Sequence, residues 1–300
     1  MQVTHSLTDE DVARAHKLPT EPKQMAEAQQ KTLSAIDHYI GAFIMPSMQG
    51  SLSQNDLEFC LFVLYYRILA FMKTALVLSN PLNFQSLTGA SRSVIEVYVD
   101  MELLFQGKVE NGVHLFKTHG DALTLKAARR MTEFYTAHPD LPCDPVSFQV
   151  HTNYIENNAA KIDAASVAAW GMNKKKEPNV PMHWSGDKMG LPRRARLLGL
   201  SFEKLVLDQY DLRNFHIHSG SAGVAWQNPA SMTATCVLAY IAIRECLIGS
   251  SKIIGRLLKL YLVVQNFFES LDSLEDLPGF ILADIRLQAA GEPTRLTFTP

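Results

Sequence analysis

The chain has 300 residues, 47% of them hydrophobic, and its 28 Lys and Arg against 30 Asp and Glu leave a formal net charge of −2. That length can bury a substantial core, and one large helical domain accounts for it more simply than two small ones. The balanced charge excludes the global electrostatic signature of a non-specific nucleic-acid binder, so any such contact must be local.

Four widely spaced cysteines, Cys60, Cys143, Cys236 and Cys246, include no C-x-x-C pair. They argue against a zinc site or a disulfide framework and fit a reducing cytoplasm, the expected location. Residues 1–22 read as a polar tail without the apolar stretch of a secretory signal. Leu57 to Leu78 and Thr235 to Val264 are apolar, but Arg67 and Lys73 interrupt the first, and Arg244, Glu245, Lys252, Arg256 and Lys259 the second. Each charge costs about 2.5 to 3.5 kcal/mol at a bilayer centre. Both therefore read as long core helices, and no membrane is expected as a partner.

In chain order, Lys23 to Met45 reads as a first helix ended near Pro46, and Gln54 to Leu78 as a second, begun by Ser53 and stopped at Ser79-Asn80-Pro81. Ser86 to Phe105 is a third, ended by Gly107, and Glu110 to Ala137 a fourth, ended by His138-Pro139. Pro145 to Trp170 looks helical but polar. Residues 172–192, rich in proline and glycine, form one long loop. A helix entering from Ser201 comes next, and Met232 to Ser270 is a very long last helix, with breaks expected at Gly249-Ser250-Ser251 or Gly255. Only Arg295 to Thr299 reads as a strand. The expectation is an all-α protein with one domain over residues 23–280 and a C-terminal tail over 281–300.

Within Ser201 to Gly220, Leu205, Val206, Tyr210, Leu212 and Phe215 recur at helical steps. At about 100° per residue, Asp211, Asn214 and His218 share one stripe, with Arg213 beside it. The glycines and serines from Ser219 to Gly223 stop the helix, which leaves His218 near a C-terminus, where the macrodipole favours the imidazolium. Histidine can move protons near neutral pH, and arginine can grip a phosphate with two N–H groups. His218 is the candidate acid or base and Arg213 the candidate clamp. Asn214 could orient the ring, and Asp211 could hold one tautomer; His216 is a further candidate for support.

Arg213-Asn214-Phe215-His216-Ile217-His218 resembles the Arg-x4-to-6-His motif of the HEPN superfamily. Ala90-Ser91-Arg92-Ser93-Val94-Ile95-Glu96 and His183-Trp184-Ser185-Gly186 resemble segments of helical bacterial proteins that share a HEPN-like core. The resemblance spans roughly Gln54 to Ile248. It implies a HEPN-like up-and-down helical bundle with additional helices and one long basic loop. It also implies a homodimer with a composite site and metal-independent endoribonuclease activity, with a role in toxicity or phage defence. An antitoxin or regulatory protein is an implied partner. The alternative is a HEPN-like fold that does not cleave and binds a nucleotide or RNA as a regulatory module.

Two other groups belong near such a site. Arg92 and Glu96 form an i, i+4 pair that stabilises a helix by about 0.2 to 0.5 kcal/mol without any other purpose. Their neighbours Val94, Ile95, Val97, Tyr98 and Val99 are apolar, so the pair should have buried partners or face a cleft. The long loop and its end carry Lys174, Lys175, Lys176, Lys188, Arg193, Arg194 and Arg196, with His183 and Trp184 among them. Aromatics among cations suit a single-stranded RNA whose bases stack; the plainer reading is a solvated lysine-rich loop. His114 and His119 are five apart, a poor spacing for a shared metal, and no metal or cofactor is expected. Nucleotide-hydrolase, zinc-peptidase and serine-hydrolase motifs are absent.

Overall fold

The structure, a computed structural model, describes residues 22–50, 55–78, 80–186, 188–211 and 229–273. Among them the chain is all-α, in keeping with a helical bundle, and pairs strand-like only at one isolated bridge, Met172 with Pro178. Contacts group it into two compact units. One is built from the chain up to Glu102 and from Leu200 onwards, the other from Leu103–Gly199.

The first unit begins with α1 (Pro22–Tyr39), a π-turn (Ile40–Ile44) and α2 (Met45–Gly50). Pro46 does not end the helix as expected. The π-turn, closed by the Met45 N–H on the Ile40 carbonyl, opens the coil by one residue just ahead of the proline. Pro46 then occupies the first turn of α2, where a missing N–H matters least. α3 (Asp56–Val77) is capped by Asn55, which accepts the Glu58 N–H at 2.9 Å; Ser53, the expected cap, lies outside the described residues. α4 (Phe84–Phe105) comes after a short 3-10 turn. It ends at Gly107, which has φ +61°. There the Lys108 N–H reaches Leu103 O at 3.0 Å and the Gly107 N–H reaches Leu104 O at 3.2 Å, a closure that only the left-handed residue allows.

The second unit is dominated by α5 (Gly112–Ala137) and α6 (Pro145–Trp170), which pack on each other. Asp144 caps α6 by accepting the Val146 and Ser147 N–H groups at 3.3 and 3.0 Å, with Pro145 in the first turn, and the helix has the bounds expected from sequence. Ala122, Leu125 and Ile162 form a small core with Tyr154, Ile155, Ala159 and Val180 against it. Arg129 grips Asp163 with two bonds of 3.1 and 2.7 Å. The segment after α6 folds back on this pair: His119 Nε2 lies 2.9 Å from Pro181 O, and the Phe116 and Trp184 rings meet edge to face at 5.8 Å. α7 (Leu191–Leu198) closes the unit.

The chain returns to the first unit with α8 (Leu200–Val206) and a second π-turn, Leu207–Asp211. α9 (Pro229–Leu257) and α10 (Tyr261–Ser273) complete it, and α9 packs against α1, α3 and α10. Leu33, Ile36, Leu61, Leu64, Tyr65, Ile68, Ile95, Tyr240, Ile243 and Ile254 are buried here. Each such aliphatic side chain contributes about 1.5 to 3 kcal/mol by leaving water.

The last helix breaks, but not at Gly249-Ser250-Ser251 or at Gly255. The Leu260 N–H closes on Gly255 O at 2.7 Å and the Lys259 N–H on Arg256 O at 3.2 Å, with Lys259 left-handed at φ +58°. The glycines serve packing instead. A Cβ on Gly249 would fall 2.1 Å from the Tyr98 hydroxyl, and one on Gly255 3.0 Å from Val264. Ser251 between them meets a different helix, α3, its hydroxyl 2.8 Å from that of Tyr65. α3 and Met232–Leu257 of α9 are long and apolar enough to cross a membrane; 50% and 67% of their apolar windows are buried inside the protein.

Candidate functional site

α4 carries two charged side chains among apolar ones: Val94 and Ile95 between them are fully buried, while Arg92 and Glu96 keep 24% and 38% of their side chains exposed. Arg92 Nε donates to Glu96 Oε1 at 3.3 Å. The same Oε1 accepts the hydroxyl of Tyr210 at 2.5 Å, and the Arg92 guanidinium carbon sits 4.5 Å over the Tyr210 ring.

Magnitudes decide which of these contacts matters. The helical Arg–Glu pair contributes about 0.2 to 0.5 kcal/mol. A hydrogen bond to a charged carboxylate contributes about 1.5 to 3 kcal/mol, and a cation over a partly desolvated ring about 0.5 to 2 kcal/mol. Arg92 and Glu96 therefore act chiefly across the fold, on a residue 114 positions away from the carboxylate. Tyr210 is buried, and its phenol is pushed up to about 12, first by burial and then by the hydrogen bond to Glu96. Near neutral pH it is a neutral donor.

The approach of Tyr210 arises from local structure. α8 lays Phe202 against Tyr98, ring centroids 5.5 Å apart. The π-turn then adds one residue to the coil, changing the direction in which Tyr210 leaves it. Tyr98 itself donates to Glu102 at 3.1 Å, and its phenol is raised well above the ordinary value by burial and then by Glu102.

Of the proposed motif, Arg213, Asn214, His216 and His218 lie outside the described residues. Asp211 closes the π-turn, and its side chain is likewise outside them. What the structure brings together is Arg92, Glu96 and a residue three positions before Arg213. In sequence Tyr210 reads only as part of an apolar helix face. A signal is nevertheless present: a buried phenol needs a partner for its hydroxyl, and a charged pair on an apolar helix needs one too.

The basic segment belongs to the other unit. Lys174, Lys175 and Lys176 are exposed on a turn held by Asn173, whose Oδ1 accepts the Lys175 and Glu177 N–H groups at 2.8 and 3.0 Å. Arg193 is exposed. Two expected RNA contacts need correction. Trp184 is 3% exposed, with its ring against Phe116 and 3.5 Å from the position a Cβ would take on Gly112, so it is a core side chain and not a stacking platform. Arg194 is 6% exposed and sits inside the unit, because α7 turns it inward beside the buried Leu191 and Ala195. His183 Nδ1 lies 3.2 Å from the Ser185 backbone nitrogen and 2.7 Å from its hydroxyl, within a local turn.

Among the described residues no group of three or more His, Cys, Asp or Glu could hold a metal ion. A groove of about 640 Å³ runs along α1 and α3, lined by Gly41, Ala42, Met45, Tyr66 and Ala70. His38 also lines it, and its charged groups Lys73 and Asp37 pair with each other at 2.7 Å. No family model, curated protein or solved structure matches the chain.

Proposed function

We propose that this protein is a HEPN-type, metal-independent endoribonuclease, cytoplasmic and dimeric, whose two Arg213–His218 elements share one cleft. The observation that supports the reading most is the Arg92–Glu96–Tyr210 cluster, which commits three polar side chains to the turn leading into the motif. In the reaction the 2′-hydroxyl of the RNA attacks its own phosphorus. A bond forms between O2′ and phosphorus, and the bond to O5′ breaks. One histidine takes the 2′ proton and a proton is returned to the leaving oxygen, giving a 2′,3′-cyclic phosphate and a free 5′-hydroxyl. Arg213 holds the charge that builds on the phosphorane. The exposed lysines at 174–176 and Arg193 would hold the strand; an antitoxin or other regulatory protein would restrain the activity.

Incubation of wild-type and His218→Ala protein with total RNA and tRNA in EDTA tests this. Wild type is expected to give fragments ending in cyclic phosphate, and the variant none. Cleavage by the variant, or loss of wild-type cleavage in EDTA, overturns the mechanism. The near-neutral charge and the burial of Trp184 and Arg194 favour a second reading, a HEPN-like module that binds a nucleotide or RNA end without cutting it. For that module His218→Ala leaves any cellular phenotype intact, while Arg213→Ala weakens ligand affinity.

A further inference from the structure

We infer that Tyr210 is a positioning residue, held by Glu96 through its hydroxyl and by Arg92 through its ring, which sets the direction of the turn entering the motif; its catalytic meaning rests on the ribonuclease reading above. Three facts carry it. The hydroxyl donates to a carboxylate oxygen, at 2.5 Å. The guanidinium covers the ring face at 4.5 Å, so the phenol is fixed at both its tip and its face. The residue sits in a π-turn, not in an α-helix, a local geometry that is rare and frequent at functional sites. A packing role alone would be served by a phenylalanine at 210 and an aliphatic residue at 96. A hydroxyl on the buried Tyr210 that meets the half-exposed Glu96 carboxylate specifies one orientation and not merely a filled volume.

Full-length wild type, Tyr210→Phe, Glu96→Gln and Glu96→Leu are compared in two measurements. In hydrogen exchange, peptides covering residues 200–211 should exchange about tenfold faster in Tyr210→Phe and Glu96→Leu than in wild type, since one charge-assisted bond is lost. Glu96→Gln keeps a carbonyl acceptor and should fall between. Peptides from α5 and α6 serve as the control and should not change. In RNA cleavage, Tyr210→Phe should lower kcat about tenfold with KM within about twofold, the pattern of lost alignment and not of lost binding. Unchanged exchange at 200–211 in both Tyr210→Phe and Glu96→Leu overturns the positioning role. Exchange that rises with full kcat retained overturns its link to catalysis. If wild-type protein cuts no RNA, the ribonuclease reading fails, and the exchange experiment still decides whether Glu96 holds Tyr210.

Discussion

α9 and α6 are both long helices, and they are stabilised in different ways. Between Thr233 and Ile254 most of α9 is buried, and its packing is close enough that Tyr98 occupies the space a side chain at 249 would need. Of the 26 residues of α6 only Ile162 and Ser166 are buried, and the helix depends on a small core plus the Arg129–Asp163 pair. The first unit is therefore specified by shape; the second depends on fewer contacts, at partly exposed groups that can adjust. A change of volume should cost more in the first than in the second, because a tightly packed site cannot collapse around a defect.

The largest effect is expected from Ile68→Ala, which empties a fully buried site on α3. It should cost about 4 kcal/mol and lower the first unit's melting temperature by roughly 8 to 16 °C. Gly249→Ala tests the opposite defect, overfilling, and should cost about 3 kcal/mol by displacing the Tyr98 ring; a double variant with Tyr98→Ala that loses less than the two single losses added together would locate the clash. Ile162→Ala in the second unit should cost only about 2 kcal/mol, at the low end for such truncations, since Tyr154, Ile155 and Ala159 are partly buried and free to close in. Equal losses at Ile68 and Ile162 in calorimetry would break the comparison.

The smallest effect near neutral pH, and the one that grows with alkali, concerns tyrosines. Tyr210 and Tyr240 are pushed up to about 12, and Tyr65 and Tyr98 are raised by burial, all in the first unit. A phenol whose folded value exceeds its unfolded value near 10 contributes stability that is complete below pH 10 and is lost as pH rises towards 12. Tyrosinate absorbance should therefore lag behind that of free tyrosine and then rise together with unfolding of the first unit. Smooth titration near pH 10 with the fold intact would show that these phenols are not shielded.

How far the chain can be read from its sequence depends on whether a residue's role is local. α6 begins at Pro145 and Gly107 ends α4 as expected, because first-turn prolines and left-handed turns involve only neighbours in sequence. Gly249 and Gly255 mislead for the converse reason. Their signal as breakers is local, but their use is tertiary, against Tyr98 and Val264. Pro46 misleads because one inserted residue moves it into a permissive turn. The boundary between the two units falls within α4, where no linker or shift in composition marks it. At the candidate site, the charged pair on α4 stands out by its apolar neighbours, whereas its partner Tyr210 looks like ordinary core. Trp184 and Arg194 look available because they occur among lysines, and only the fold shows them turned inward.

The π-turn at Leu207–Asp211 makes chain length itself a variable of the site. Such a turn holds one residue more than an α-helix of the same span, and each residue removed from a coil rotates the next part of the chain by about 100°. Loss of Leu207 or Asp208 would return the segment to ordinary helix and carry the tyrosine away from Glu96 with no change in the amino acids that touch. Diverging copies of this chain could thus re-aim the segment by insertion or deletion where a substitution would have to rebuild three side chains at once.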